Sequence, residues 1–256
     1  MTTVEETPVG PIETLWRGAR TGQAVVFLHH GFGTAESMRP LMDVFSRHRP
    51  DLSLLSYSRP GCGRSPARAA HKSPDYLEYE ALHVLPAILR ATDLSPVHLV
   101  GHSDGGSIAL IAAAQGALDI RSVTAIAPHS FIEDRTIAGV RAVAKYRDDP
   151  AFMAALARRH DDVEAAFGSW LDIWLAPEMQ SWSICDLLGQ IRCPVGIIQG
   201  TEDDFGTGAQ LDVVAKALPQ SRVRTRLIGG AGHDVYKEQP AAIFEFWQEV
   251  GRLPRL

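Results

Sequence analysis

Hydrophobic positions along this chain fall into short runs that alternate with longer segments of helical periodicity. Several short runs are continuously apolar, which is typical of parallel strands covered on both faces. The predicted strands are Thr14–Arg17, Ala24–His29, Leu52–Tyr57, Val97–Gly101, Val123–Ala127, Val195–Gly200 and Val223–Ile228. The predicted helices are Ala35–Arg47, Pro74–Thr92, Gly105–Gly116, Gly208–Ala217 and Pro240–Val250. This alternation predicts an α/β fold with a mostly parallel central sheet flanked by helices.

The alternation stops between about residues 129 and 190, where the pattern is helical throughout. Because this stretch follows one predicted strand and precedes the next, we interpret it as a helical cap inserted into a single domain, 1–256. Within it, apolar residues recur at helical spacing: Val163, Phe167, Trp170 and Trp174. This stripe either packs within the cap and onto the core or, at Trp170 and Trp174, roofs a substrate pocket.

The segment Gly101–Gly105 reads Gly-His-Ser-Asp-Gly and matches the pattern G-x-S-x-G. It lies between a predicted strand and a predicted helix, which is the context of a nucleophile elbow. The structural alternative is an ordinary glycine-rich turn between a strand and a helix. The context favours the elbow and predicts Ser103 as the nucleophile.

A serine nucleophile needs a base, and a histidine base needs a carboxylate that orients it. His233 lies in the segment Gly-Ala-Gly-His after the last predicted strand, and three acids follow the strand before it: Glu202, Asp203 and Asp204. The spacing Gly-x-x-Asp favours Asp203, with Asp204 as the next candidate. The order Ser103, Asp203, His233 is the order typical of this chemistry on an α/β sheet.

Two backbone N–H groups are expected to form the oxyanion hole. One belongs to Asp104, which follows the nucleophile at the start of a helix, and the other to Phe32 in the turn His-Gly-Phe-Gly. We expect His29 and His30 to hold this turn by hydrogen bonds. The Asp104 carboxylate either faces the pocket, where it would favour a substrate ammonium group, or bonds to neighbouring loops.

Two residues after the strand Val123–Ala127 are candidates for the pocket. His129 and Phe131 follow the carboxyl end of this strand, where ligands bind in open parallel sheets. For His129, lining the pocket and bonding to the protein's own backbone are equally compatible with its position.

At these residues the chain resembles the α/β-hydrolase superfamily over nearly its whole length. The resemblance is carried by the His-Gly-Phe-Gly turn, by Gly-His-Ser-Asp-Gly-Gly and by Gly-Ala-Gly-His, and segment 57–65 resembles the family's Asp-x-Pro-Gly-x-Gly-x-Ser turn. It implies an acyl-serine intermediate, no metal ion and no organic cofactor. Epoxide hydrolases and haloalkane dehalogenases of this superfamily use an aspartate nucleophile, so Ser103 disfavours them.

Composition narrows the partners and the compartment. The net charge is −5 and no Lys/Arg-rich run occurs, which argues against a nucleic-acid partner. The N-terminal segment is too polar for a signal peptide, and no apolar stretch is long enough to span a membrane. Three scattered cysteines indicate free thiols and a cytoplasmic location.

The expected partner is therefore a small-molecule substrate, whereas the oligomeric state stays open. The main hypothesis is hydrolysis of a small to medium carboxylic ester, or of a lactone or thioester. Carbon–carbon bond hydrolases share the same three residues and remain an alternative. A ligand receptor with slow turnover and a cofactor-independent oxygenase are further alternatives.

Overall fold

The sheet lies at the centre of the molecule and has eight strands. The computed structural model describes residues 2–20, 22–67 and 73–254. The strands are β1 (Thr2–Thr7), β2 (Gly10–Gly18), β3 (Ala24–Leu28), β4 (Ser53–Tyr57), β5 (Val97–His102), β6 (Ile120–Ile126), β7 (Val195–Gly200) and β8 (Val223–Ile228). Their spatial order is β1-β2-β4-β3-β5-β6-β7-β8. All neighbours from β4 to β8 pair in parallel, whereas β2 runs antiparallel to both β1 and β4.

Helices cover both faces of this sheet. They are α1 (Arg39–His48), α2 (Tyr76–Tyr79), α3 (Leu85–Ala91), α4 (Asp104–Gln115), α5 (Asp134–Ala144), α6 (Pro150–Ala157), α7 (Ser169–Leu175), α8 (Cys185–Leu188), α9 (Ala209–Ala217), α10 (Val235–Glu238) and α11 (Pro240–Gly251). Wider π turns at 80–84 and 164–168 precede α3 and α7, and 3₁₀ turns lie at 35–38, 145–148 and 177–181. The predicted α/β-hydrolase fold is confirmed.

Alternating side chains of the central strands supply two separate cores. In β3, Val25 and Phe27 join the cluster that contains the buried faces of α1 and α11. Val26 and Leu28 join the other cluster, which contains α3 and α4. Because successive side chains of a strand point to opposite faces, a continuously apolar strand must be covered on both sides. The fully buried β3 meets this requirement.

The first strand was not predicted from the sequence. Residues Thr2–Thr7 form an edge strand that pairs antiparallel with β2, whose observed span Gly10–Gly18 is longer than the predicted 14–17. The edge position leaves much of β1 exposed, so its residues need not be apolar and the pattern carries no strand signal. Pairing with β2 supplies the backbone hydrogen bonds that favour the strand.

Between β6 and β7 the chain forms α5, α6, α7 and α8 in the region interpreted as a cap. This region contributes Val140, Leu156, Phe167, Trp170 and Trp174 to the same core cluster as α4, so it packs against the main body. Across the described residues, no helix is both long and apolar enough to cross a membrane.

Candidate active site

Ser103 lies in the tight turn between β5 and α4. Its backbone has φ 55° and ψ −120°. Residues other than glycine rarely adopt a positive φ, so this conformation is strained. The turn needs glycine on both sides, since an added Cβ at Gly101 would lie 2.1 Å from the Gly105 carbonyl oxygen. At Gly105, a Cβ would lie 2.2 Å from the carbonyl oxygen of Leu28. The strand, the strained serine and the helix together have the geometry of a nucleophile elbow.

His233 and Asp203 meet at the carboxyl edge of the sheet. The His233 Nδ1–H donates to the Asp203 carboxylate at 2.9 Å from Oδ1 and 3.0 Å from Oδ2. The carboxylate is 1% exposed, whereas the imidazole is 17% exposed and faces the cavity. Asp204 is exposed and makes no such contact with His233 among the described residues. The geometry thus pairs the histidine with the first of the two adjacent aspartates.

Two further groups, which the sequence did not indicate, hold the Asp203 carboxylate. The Phe205 N–H donates to Oδ1 at 2.8 Å, and the Gln199 amide donates to Oδ2 at 3.1 Å. Burial by itself raises the pKa of Asp203. The hydrogen bond from His233, the electrostatic interaction with that imidazole and the hydrogen bond from the Phe205 N–H lower it by more. The pKa of Asp203 therefore lies below its ordinary value. The carboxylate stays ionised and fixes the imidazole with Nδ1 protonated, which directs Nε2 away from Asp203.

The Ser103 side chain and the His233 imidazole line the same cavity. Among the described residues, no hydrogen bond joins the Ser103 hydroxyl to His233 Nε2. Such catalytic hydrogen bonds are often long without substrate and tighten in the complex. The arrangement places an acceptor nitrogen and a hydroxyl at one cavity, ready for proton transfer once a substrate aligns them.

The two residues predicted to supply the oxyanion donors, Phe32 and Asp104, line the same cavity as Ser103. Asp104 is the first residue of α4, so its N–H has no acceptor within its own helix. Phe32 lies in the loop after β3, where Gly33 N–H closes a turn onto the His30 carbonyl at 3.0 Å. Both residues line the cavity that contains Ser103. Their positions on this lining are compatible with the predicted oxyanion hole, which stays a prediction.

The cavity has a volume of about 560 Å³ and an apolar wall from the cap region. Trp170 and Trp174 line it and are also buried in the core, so packing and pocket lining coincide at both tryptophans. His129 lines it as well. Phe131 does not: it forms an isolated β-bridge with Ser183, and its carbonyl accepts a hydrogen bond from the side chain of Gln210. Phe131 thus lies outside the cavity lining, which its position in the sequence did not reveal.

Burial favours the neutral form of three histidines around the site, although each donates to a backbone carbonyl. His29 donates from Nδ1 to the His30 carbonyl at 2.7 Å and accepts the Arg59 N–H on Nε2 at 3.0 Å. His102 donates to the His233 carbonyl at 2.9 Å, and His129 donates to the Phe205 carbonyl at 3.2 Å. Burial lowers the pKa of His29, His102 and His129. These three imidazoles act as fixed donors and acceptors that shape the loops around Ser103.

The Asp104 side chain belongs to a buried network rather than to open pocket space. Its Oδ2 accepts from Arg59 Nη1 at 3.2 Å and from the Tyr76 hydroxyl, which in turn accepts from Trp174 Nε1 at 2.8 Å. The side chains of the ion pair are 4% and 1% exposed. Arg59 Nη2 also donates to the His30 carbonyl at 2.9 Å and to the Gly31 carbonyl at 2.7 Å. The guanidinium therefore joins the two loops that carry the oxyanion donors.

No cluster of three or more histidine, cysteine or carboxylate side chains that could bind a metal ion occurs in the described part of the chain. The described cysteines are free thiols, and burial raises the pKa of the Cys62 thiol to about 12.

Comparisons with known proteins agree with this geometry. Residues 25–246 match the model of the alpha/beta hydrolase family. The chain is 25% identical over 183 residues to the mouse serine hydrolase BPHL and 24% identical over 176 residues to the human protein. These matches cover 70% and 67% of this chain but only 62% and 60% of the relatives, less than two thirds of their length.

Solved structures resemble the fold along its whole length. An enol-lactonase from Burkholderia xenovorans LB400 has a TM-score of 0.73 at 19% identity, over 97% of this chain and 99% of its own. An E-2-(acetamidomethylene)succinate hydrolase has a TM-score of 0.74 at 20% identity, with the same two coverages. The match over residues 25–246 shows that the chain belongs to the alpha/beta hydrolase family.

Proposed function

We propose that this protein is a serine hydrolase that cleaves small to medium carboxylic esters, including lactones or thioesters, through an acyl-serine intermediate. One observation carries the proposal: the strained Ser103 opens onto the same cavity as His233, whose imidazole is held by the buried Asp203 carboxylate. The other cavity walls are largely apolar, which suits an acyl chain.

In the proposed first half-reaction, the Ser103 Oγ attacks the acyl carbonyl carbon while its proton passes to His233 Nε2. The Asp203 carboxylate stabilises the imidazolium that forms. The negative charge on the former carbonyl oxygen is bound by the N–H groups of Phe32 and Asp104. When the intermediate collapses, the bond to the alcohol oxygen breaks, and His233 returns the proton to that oxygen.

In the second half-reaction, water attacks the acyl-serine and gives its proton to His233. The same two N–H groups bind the second oxyanion. Collapse breaks the bond between Ser103 Oγ and the acyl carbon, and the imidazolium reprotonates the serine. The products are the free acid and the regenerated hydroxyl, so the cycle requires only water as co-reactant.

The relatives support serine hydrolase chemistry without fixing the bond or the substrate. The curated relatives are named serine hydrolases, and one structural neighbour is an enol-lactonase. For this reason the proposal includes lactones. A ligand receptor with slow turnover and a carbon–carbon bond hydrolase remain the alternatives.

The test is a series of nitrophenyl esters of graded acyl length, run beside a phosphonate probe that labels active serines. Rapid labelling at Ser103 together with repeated ester turnover supports the hydrolase. Labelling with turnover near one event per molecule would instead indicate a ligand receptor. Absence of labelling in the folded wild-type protein would contradict a nucleophilic Ser103. A parallel assay with a chelator is expected to leave turnover unchanged.

A further inference from the structure

The lining of the catalytic cavity contains both cations and carboxylates. Besides Asp104, which is paired with Arg59, it contains Arg159, Asp234, Lys237 and Glu238. Lys237 Nζ pairs with Asp234 at 2.6 Å, and Glu238 accepts the Gly232 N–H on both oxygens at 3.3 and 3.2 Å. Within the described residues, Arg159 is the cation of this lining that has no ion pair. An anionic group of a ligand in the cavity would therefore find one guanidinium that is not already bound to a carboxylate.

The backbone that carries Arg159 is tied to the main body. Its own N–H and that of His160 both donate to the Leu156 carbonyl, at 2.8 and 3.0 Å. The buried His160 then accepts the Gly63 N–H on Nδ1 at 3.0 Å, and the Asp161 N–H donates to the Gly63 carbonyl at 2.9 Å. These bonds on both sides hold the backbone at Arg159, whose side chain is exposed and lines the cavity.

Arg159 also continues the apolar wall of the cavity. Leu156 lies three residues earlier in the chain, and together with Val140, Val143 and Phe152 it lines the same cavity. An acyl chain that extends from Ser103 along this wall would bring its far end to the guanidinium. The planar fork of an arginine matches the two oxygens of a carboxylate and remains charged at every physiological pH.

We propose that Arg159 is a substrate-binding residue that selects esters whose acyl group bears a carboxylate remote from the scissile carbonyl. This inference rests on the proposed ester hydrolysis and adds the class of acyl group. The carboxylate lies at the cavity opening against Arg159, the methylene chain lies on the cap wall, and the carbonyl carbon lies at Ser103.

The test compares two matched esters: the nitrophenyl half-ester of adipic acid and nitrophenyl hexanoate, which have acyl chains of the same carbon number. The measured quantity is the ratio of kcat/KM for the half-ester to kcat/KM for the neutral ester. In Arg159→Gln this ratio is expected to fall about three- to tenfold, through KM, because the charge-assisted hydrogen bonds at an exposed site are lost. Added salt is expected to lower the wild-type ratio, and Arg159→Lys to retain part of it.

Arg158→Gln is the matched control. This neighbouring arginine is exposed, donates to the Ala154 carbonyl at 3.2 Å and does not line the cavity. Its ratio is expected to equal that of the wild type. An equal ratio in the wild type, Arg159→Gln and Arg158→Gln would overturn the inference while leaving ester hydrolysis intact. Thermal melting of each variant checks that the fold is retained.

A binding measurement separates the two proposals if the wild type cleaves neither ester. Calorimetry with Ser103→Ala and the monoethyl ester of adipic acid reports binding without turnover. If the double variant Ser103→Ala/Arg159→Gln binds this ester more weakly than Ser103→Ala, carboxylate recognition is supported even though the hydrolase proposal has failed. Equal binding by Ser103→Ala and by Ser103→Ala/Arg159→Gln, or no binding by either, would overturn the inference.

Discussion

At the scale of single residues, the candidate site depends on a few side chains whose roles differ sharply. Ser103 has a backbone conformation with positive φ, which is strained for a serine. The Asp203 carboxylate is buried and accepts hydrogen bonds from His233, Phe205 and Gln199. Strain at the serine persists because the flanking glycines allow the sheet and α4 to approach closely. Substitutions at these positions therefore test the chemistry more directly than substitutions elsewhere in the molecule.

Ser103→Ala is expected to abolish ester turnover, because no oxygen nucleophile remains at the elbow. Removal of a triad serine costs about 10⁶-fold in kcat in enzymes of this chemistry. The melting temperature should be retained, since alanine keeps the small volume at this position. Hydrolysis by the purified variant at the wild-type rate would place the chemistry elsewhere.

The adjacent aspartates provide a matched pair. Asp203→Asn is expected to lower kcat by about 10⁴-fold, because an amide cannot stabilise the imidazolium and favours the wrong tautomer of His233. Asp204→Asn removes the same charge at an exposed site and should change kcat little. Steady-state kinetics on one ester decide between the two carboxylates, and the reverse order of effects would transfer the role to Asp204.

At the scale of elements, a buried ion pair connects three parts of the chain. Arg59 follows β4, Asp104 begins α4, and the His30 and Gly31 carbonyls that Arg59 binds follow β3. Tyr76 and Trp174 extend the network from α2 to α7 in the cap region. A charge buried in this way is tolerated only while its partner is present.

Arg59→Met is expected to lower the free energy of unfolding by about 3–5 kcal/mol, because it leaves the Asp104 carboxylate buried without a cation. The double variant Arg59→Met/Asp104→Asn should recover part of this loss, since the unpaired charge is then absent. Arg17→Met breaks the partly exposed pair with Asp43 and should cost no more than about 1 kcal/mol. Urea unfolding measures all three, and equal losses at Arg59 and Arg17 would contradict the argument.

At the scale of the whole molecule, buried neutral histidines link stability to pH. Burial lowers the pKa of His30 to about 3 and also lowers the pKa of His29, His102 and His129 below the usual 6.5. Below that ordinary value the unfolded chain binds protons that the folded chain does not. The folded state is therefore stabilised above pH 6.5 and loses that advantage as the pH falls.

The free energy of unfolding is accordingly expected to decrease from pH 7 to pH 5. Each such histidine contributes up to about 1.4 kcal/mol per pH unit in this range. His129→Gln should make the dependence shallower, because it removes one of the buried imidazoles whose pKa is lowered. Chemical denaturation at several pH values provides the slopes, and stability that rises on acidification would show the opposite linkage.

The local pattern of the sequence was sufficient to predict the fold class, seven of the eight strands and the family. Hydrophobic periodicity is a property of residues close together in the sequence, so it can be recognised without the tertiary structure. The motif around Ser103 and the segments that carry Asp203 and His233 were recognisable for the same reason. The edge strand β1 was not predicted, because its exposed residues show no apolar pattern. The ends of β2 differ from the prediction, because pairing with β1 extends this strand.

Contacts between distant segments were decided only by the tertiary structure. The pairing of Arg59 with Asp104 spans 45 residues, and that of Tyr76 with Trp174 spans 98. Whether a side chain lines the cavity depends on how the cap region packs on the sheet. As a result of this packing, Arg159 lines the cavity and Phe131 does not. Short-range periodicity determines which elements form, whereas packing, which sums interactions over the whole chain, determines which side chains meet.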